Sequence, residues 1–326
     1  MSISSKPRLA ITMGDPGGIG LEVCAKALAA LAPNWAFIPI LICSKSAFNH
    51  PFHHALFKQF NCQESDSFIE EGILYLSFVD DDPSYMIGDH DGRNGQLAFS
   101  CLKRAVELWQ SGSADYLCTA PLSKAALNMA GLPYTGHTSC LADLLQVSPV
   151  SMAFSSPELR VLLHSIHIPL SAVPGTITEP KLRASIEHAF EFGRICGFNA
   201  PRVGVAALNP HAGERGKLGF EDSEIIGPVV KSFIEDGALI SGPHPADTIF
   251  WEARNDKYDV VLALYHDQAL IPVKTLAFDR AVNVTVGLPF VRTSPDHGTA
   301  FDIAYQGLAS ETSMVEAIVF AVESST

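Results

Sequence analysis

Short apolar runs rich in Val, Ile and Leu recur along the chain, at residues 9–13, 36–43, 73–79, 116–119, 161–165, 203–208, 260–265 and 282–286. Runs this short, rich in branched apolar residues, predict buried strands. Between several of them the apolar positions take a helical spacing, at 21–31, 97–109, 181–196, 223–234 and 314–322. In the second of these, Leu97, Cys101, Leu102, Ala105 and Leu108 mark one face. Thr178, before Glu179 and Pro180, predicts a helix start in which the hydroxyl caps free amides and proline occupies the first turn. Strand and helix therefore alternate, which predicts an α/β protein with a largely parallel sheet and helices on both faces. No internal repeat or low-complexity tract interrupts the alternation.

Composition adds scale. The 326 residues are 47% hydrophobic and 17% charged, enough for a large core, and a chain of this length exceeds what one core usually supports. Two lobes with a ligand cleft between them are expected. A formal charge of −13 argues against a general nucleic-acid or anionic-membrane binder, since either needs a basic face. A small anionic substrate would be held by a few local cations. The seven cysteines are scattered and lack any C-x-x-C spacing, which fits a reducing compartment rather than a disulfide framework or a thiolate zinc site. Residues 1–8 lack the apolar core of a signal peptide, and no run reaches the roughly 20 apolar residues of a membrane span. A soluble cytoplasmic protein is expected.

Four constellations carry chemistry. Gly14-Asp15-Pro16-Gly17-Gly18-Ile19-Gly20 is a turn between a strand and a helix; it matches neither the Rossmann fingerprint nor the Walker loop, and reads equally as a tight structural turn or an anion-binding loop. His167, His211 and His266 each follow an apolar strand, where α/β folds present their ligand crevice. Three imidazoles with open positions suit a catalytic divalent metal, although three unrelated hydrogen-bonded histidines would read the same way. His164, three residues before His167, points to the opposite face of an extended strand and reads as structural. His50, His53 and His54 lie in a polar, loop-like stretch where exposure is expected. Asp247, Asp267, Lys274, Asn283 and Arg292 are isolated polar groups in an apolar third of the chain, where a lysine and an arginine can hold phosphate or simply form surface ion pairs. Residues 297–304, His-Gly-Thr-Ala-Phe-Asp-Ile-Ala, read as a loop entering a helix, with Asp302 able to accept from ribose hydroxyls.

Taken in order, these segments resemble the 4-hydroxythreonine-4-phosphate dehydrogenase family over the whole chain. The motifs are the glycine turn at 14–20, Thr-Ala-Pro-Leu-Ser-Lys at 119–124, Thr-Gly-His-Thr at 135–138 and Asn-Pro-His-Ala-Gly-Glu at 209–214. Pro-Ala-Asp-Thr at 245–248, Tyr-His-Asp-Gln at 265–268 and Gly-Leu-Pro-Phe-Val-Arg-Thr-Ser at 287–294 follow. Gly18 replaces an alanine common in the first motif. The resemblance implies a two-lobed α/β/α fold like that of isocitrate and isopropylmalate dehydrogenases, which bind NAD without a Rossmann domain, with the active site in the cleft. Approximate lobes are 1–130 with 285–326 on the cofactor side, and 131–284 for substrate, metal and dimerisation.

The resemblance further implies that His167, His211 and His266 bind one divalent ion (zinc, magnesium or cobalt), and that His137, Thr138, Lys274, Asn283 and Arg292 contact a phosphorylated substrate. His297, Gly298 and Asp302 match the adenosine loop of the relatives, so NAD is expected, with NADP open. Lys124, Asp247 and Asp267 are titratable groups in family motifs and candidates for proton transfer. A homodimer whose second subunit closes the site is implied. The reaction implied is NAD-dependent oxidation of 4-hydroxy-L-threonine 4-phosphate, with decarboxylation to 3-amino-2-oxopropyl phosphate, in pyridoxal 5′-phosphate synthesis. Dehydrogenases of 4-phosphorylated D-threonate or D-erythronate share nearly all these motifs, and an acyltransferase or non-catalytic ligand-binding relative is the alternative from another class.

Overall fold

The computed structural model describes residues 6–68, 70–79 and 84–324. Residues 1–5 of the segment read for a leader lie outside them. In chain order the strands are β1 (Arg8–Thr12), β2 (Ile38–Ser44), β3 (Cys62–Glu64), β4 (Leu74–Val79), β5 (Tyr116–Thr119), β6 (Ser151–Ser155), β7 (Arg160–Leu163), β8 (Val203–Ala206), β9 (Ile240–His244), β10 (Val260–Ala263), β11 (Val282–Val286) and β12 (Arg292–Pro295). The helices are α1 (Gly20–Leu31), α2 (Lys45–Asn49), α3 (Pro51–Phe57), α4 (Gly92–Gln110), α5 (Lys124–Met129), α6 (His137–Leu145), α7 (Val173–Thr176), α8 (Glu179–Ile195), α9 (Gly227–Glu235), α10 (Ala246–Arg254), α11 (His266–Ala277) and α12 (Thr312–Glu323). The chain is α/β, as the alternation of patterns predicts.

It divides into two compact units, the first of residues 1–148 with 288–323 and the second of 149–287 with the last residues. The first border falls later than the expected 130 because α6 packs on α4, which keeps residues 131–148 with the N-terminal unit.

Unit 1 carries the strand order β3-β4-β2-β1-β5-β12, parallel throughout. Every residue of β2 is buried, so its unbroken apolar run reflects cover on both faces. Helix α4 packs on β1, β2 and β4, while α12 packs on β5, β12 and α1. Unit 2 carries β11-β6-β7-β10-β8-β9, in which β11, β6 and β7 run antiparallel and β7, β10, β8 and β9 run parallel. Val161, Leu163, Val261 and Ala263 share one core with Ile249 of α10 and Val273 of α11. Leu162 and Leu262, out of phase with them, are also fully buried. Each such side chain contributes about 1.5–3 kcal/mol on burial.

Four strands lack the expected apolar run: β3, β6, β9 and β12. Arg292-Thr-Ser-Pro of β12 is polar yet wholly buried, so tertiary pairing beside β5 rather than pattern makes it a strand. Thr178 stands at the N-cap of α8 in extended conformation, but its hydroxyl makes no capping bond. Pro180 removes one of the two amides such a hydroxyl could reach. The helix expected at 223–234 opens with a π-helical turn, Asp222–Ile226, before α9. His50, His53 and His54 lie in and between α2 and α3, and His53 is buried: its Nδ1 lies 2.8 Å from the Ala47 carbonyl and its ring packs on Tyr305. No helix follows 297–304 beyond one 3-10 turn, Phe301–Ile303, because Ala300 and Tyr305 on either side have φ of 43° and 61°.

Candidate active site

In unit 2 the parallel neighbours β7, β10 and β8 end on one sheet edge, and their connections carry His167, His266 and His211. Side chains that sequence reasoning missed tie these connections together. The Ser165 hydroxyl donates to the Leu264 carbonyl at 2.7 Å. Buried Gln268 accepts from the Leu264 amide at 2.6 Å and donates to the Ala207 carbonyl at 2.8 Å. The first link joins the loop of His167 to that of His266, and the second joins the latter to the loop of His211. Gln268 closes the Tyr-His-Asp-Gln motif, which was its only signal. His164 turns away, with Nδ1 at 2.8 Å from the Ser185 hydroxyl, as a structural histidine should.

The rings of His167 and His266 stand 5.6 Å apart between centroids, and His266 Nδ1 lies 2.7 Å from the Asp267 carboxylate. A carboxylate on one ring nitrogen leaves the other free to face a metal. Among the described residues, no group of three His, Cys, Asp or Glu side chains closes on one point within the chain. The donor set has the chemistry for a divalent ion, and this chain alone brings two of its imidazoles together.

His211 sits in an unusual backbone. Within Pro210–Gly216, residues His211, Ala212, Gly213, Glu214 and Arg215 have φ of 52°, 53°, 74°, 44° and 61°. Left-handed helical conformation costs a non-glycine residue about 1–2 kcal/mol, and only one of these five is glycine. Just before the turn, Asp222 Oδ1 accepts from the Leu208 amide at 2.8 Å, and Oδ2 accepts from the amide and side-chain nitrogen of Asn209 at 3.0 and 2.9 Å.

Helix α10 carries Asp247 in its first turn and α11 carries Asp267 in its first turn; both are exposed. They line one groove of about 530 Å³ with Phe250, Trp251, Tyr265 and Ile271. A groove of about 440 Å³ holds His266, Asp267 and Lys274. His266 and Lys274 are eight positions apart on α11 and share a face. Asn283 is half-buried on β11, and its Oδ1 is buried without a hydrogen-bond partner.

Unit 1 holds the other predicted group. Arg292 begins β12 and is 2% exposed; it donates to the Thr119 hydroxyl at 2.5 Å, at the end of β5. Burial brings its guanidinium down to about 10. His137 and Thr138 open α6 after Gly136, whose φ of 149° starts the turn. Burial, then the charges of Arg292 and Lys124, push the His137 imidazole well below its usual range, and its Nε2 is buried with no partner. The side chain of Lys124 lies along Gly136, its Cε only 3.6 Å from where a Cβ would stand. The ring N–H is given to the Ala120 carbonyl, so the neutral Nε2 is left as an acceptor for a hydroxyl, and the buried guanidinium is the group that an oxyanion would satisfy.

The glycine-rich turn resolves as structural. Its amides are used internally: Asp15 to the Pro121 carbonyl, Gly17 to the Asp15 carboxylate, and Ile19 to the Thr299 carbonyl, at 2.9, 2.9 and 3.0 Å. Burial raises the Asp15 carboxyl to about 6, although hydrogen bonds from Gly17 and Asn94 oppose this. A Cβ on Gly18 would stand 2.7 Å from the Thr299 carbonyl oxygen, so the turn is the floor of the 297–304 loop. On that loop His297 Nδ1 lies 3.0 Å from the Gly298 carbonyl, while Gly298 and Asp302 are exposed.

A family model described as pyridoxal phosphate biosynthetic protein PdxA matches residues 36–321. The 4-hydroxythreonine-4-phosphate dehydrogenase of Ruegeria sp. (strain TM1040) is 43% identical over 312 residues, 95% of this chain and 94% of its own. The D-threonate 4-phosphate dehydrogenase of Pectobacterium atrosepticum is 38% identical over 97% of this chain and 98% of its own. The crystal structure of 4-hydroxythreonine-4-phosphate dehydrogenase from Klebsiella pneumoniae matches with a TM-score of 0.84 at 36% identity, covering 97% of this chain and 98% of that one.

Proposed function

The chain belongs to the pyridoxal phosphate biosynthetic protein PdxA family and is a dehydrogenase, and from that premise we propose that it oxidises 4-hydroxy-L-threonine 4-phosphate with NAD. The 3-oxo acid formed would lose carbon dioxide to give 3-amino-2-oxopropyl phosphate. The observation that supports the reaction class is the sheet edge of unit 2, where cross-linked connections carry His167, His211 and His266, the last of them beside Asp267 and Lys274.

His167, His211 and His266 would hold one divalent ion, zinc, cobalt or magnesium. When bound, the ion supplies Lewis acidity at the substrate hydroxyl, and the nicotinamide supplies the hydride acceptor. The protein's own work is binding and proton handling. In unit 1, Arg292, His137 and Thr138 would bind the phosphorylated substrate, with the His137 Nε2 lone pair accepting from a substrate hydroxyl, since the ring N–H is given to the Ala120 carbonyl. In unit 2, Lys274 and Asn283 would make further substrate contacts. Lys124, Asp247 and Asp267 are the groups available to move the hydroxyl proton. His297, Gly298 and Asp302 would contact the adenosine half of NAD, with the exposed Asp302 carboxylate accepting from ribose hydroxyls.

A homodimer accounts for the exposed apolar side chains Trp251, Ile271 and Phe278, at 69%, 65% and 73%. A second copy would cover them and close the site. None of the described helices is long and apolar enough to cross a membrane.

Oxidation of D-threonate or D-erythronate 4-phosphate is the second reading, favoured by the relatives at 37–38% identity named for D-threonate 4-phosphate. The higher identity to the Ruegeria enzyme supports the amino acid. The test is product analysis with metal-reconstituted protein. NADH, carbon dioxide and 3-amino-2-oxopropyl phosphate formed in equal amounts are expected. Consumption of 4-hydroxy-L-threonine 4-phosphate without NADH, or no consumption of it, would overturn the proposal.

A further inference from the structure

We propose that Asp222 is a positioning residue for His211, setting the affinity of the metal site through the left-handed turn; this rests on the reading that His211 ligates the ion. A run of His211 to Arg215 at positive φ is not a conformation that its residues choose locally, because Ala, Glu and Arg avoid it. Something before or after the turn must impose it.

The structure offers one buried anion there. Asp222 is 1% exposed, and its two oxygens take three N–H donors from Leu208 and Asn209, the residues that lead into the turn. Glu221 accepts a further bond from the Asn209 side chain at 2.8 Å. The carboxylate also walls the turn itself: a Cβ on Gly213 would lie 3.5 Å from Asp222 Oδ2 and 2.8 Å from the Gly219 carbonyl oxygen. Asp222 in turn begins the π-helical turn that runs into α9, so a packed helix anchors it. The direction in which His211 leaves the sheet edge is thus fixed by a side chain eleven positions later. Only an acceptor-only group fits. Asn at 222 would offer one acceptor oxygen and turn an N–H toward another N–H.

The experiment titrates cobalt(II) into metal-free protein, following its visible absorption bands, for wild type, H211A, D222N and N209A. I40V and I40A, which trim a fully buried side chain of β2 in unit 1, serve as stability controls. Wild type is expected to bind and H211A to lose binding. D222N is expected to weaken binding at least tenfold, with altered bands, beyond any loss in the control of equal melting temperature. N209A, which keeps the two backbone bonds to Asp222, is expected to weaken binding a few-fold and supplies the test if D222N does not fold. Wild-type affinity in folded D222N, or in N209A where D222N is unfolded, would overturn the role of Asp222. Unaltered binding by H211A would instead overturn the assignment of His211 and the proposal with it.

Discussion

Replacing Arg292 by Met separates what this residue does for the fold from what it does for a ligand. The guanidinium is fully buried and its pKa is depressed to about 10, so holding it charged in the fold costs on the order of 3 kcal/mol. Its polar contacts, the bond to Thr119 among them, return a comparable amount, at about 1.5–3 kcal/mol for a hydrogen bond to a charged group. The two nearly cancel. A Met of similar length removes both, and the ligand-free protein is expected to melt within about 4 °C of wild type, or slightly higher. Substrate binding should respond otherwise. Losing a charge-assisted bond to phosphate costs about 1.5–3 kcal/mol, a rise in KM of roughly tenfold to a hundredfold, with the KM for NAD unchanged. Calorimetry of the ligand-free protein and initial rates of NADH formation supply the two readings. A melting temperature lowered by ten degrees or so, with an unaltered substrate KM, would show a purely structural arginine and refute the reasoning.

Three further outcomes follow from the same geometry. H211A is expected to lose metal content and metal-dependent turnover while keeping its circular dichroism spectrum; normal metal content by elemental analysis would refute the ligand assignment. G18A places a Cβ against the Thr299 carbonyl oxygen, 2.7 Å away before relaxation, and should raise the KM for NAD about two- to fivefold, a cost of about 0.5–1 kcal/mol, without moving the substrate KM. An equal change in both constants would mean that the 297–304 loop does not serve the cofactor. Burial lowers His53 from the usual imidazole value near 6.5 to about 4, so the fold keeps it neutral while the unfolded chain binds a proton. Stability is therefore lost as pH falls through 6.5 towards 4, by about 2 kcal/mol between pH 7 and pH 5. Urea unfolding should show that H53Q lacks this share of the acid sensitivity, and an identical pH dependence in both proteins would contradict it.

The sequence was most legible where burial is uniform. The apolar runs of β1, β2, β4, β5, β7, β8 and β10 stand out because cover on both faces leaves little polar alternation, whereas β11, Val-Asn-Val-Thr-Val, alternates. Arg292-Thr-Ser-Pro gave no such signal, since β12 gains its place from pairing with β5. His53 was hidden for a related reason: its burial depends on Tyr305, far along the chain. The metal candidates were legible as residues following strands, yet their spacing is set by long connections, so the residues alone left separate structural histidines open. Family motifs, not periodicity, favoured one site. The left-handed turn was illegible, because Gly213 and Gly216 mark only part of it and the carboxylate that holds its approach comes from Asp222, where pattern suggested only the border of a helix. The glycine-rich turn shows the converse, a conspicuous motif whose amides are consumed by the protein itself.

The most direct test of the account is a comparison of kcat/KM for NADH formation by the metal-reconstituted protein with 4-hydroxy-L-threonine 4-phosphate, D-threonate 4-phosphate and D-erythronate 4-phosphate. A clear preference for the amino acid is the expected result. Preference for either sugar acid, or no NADH with any of the three, would contradict it.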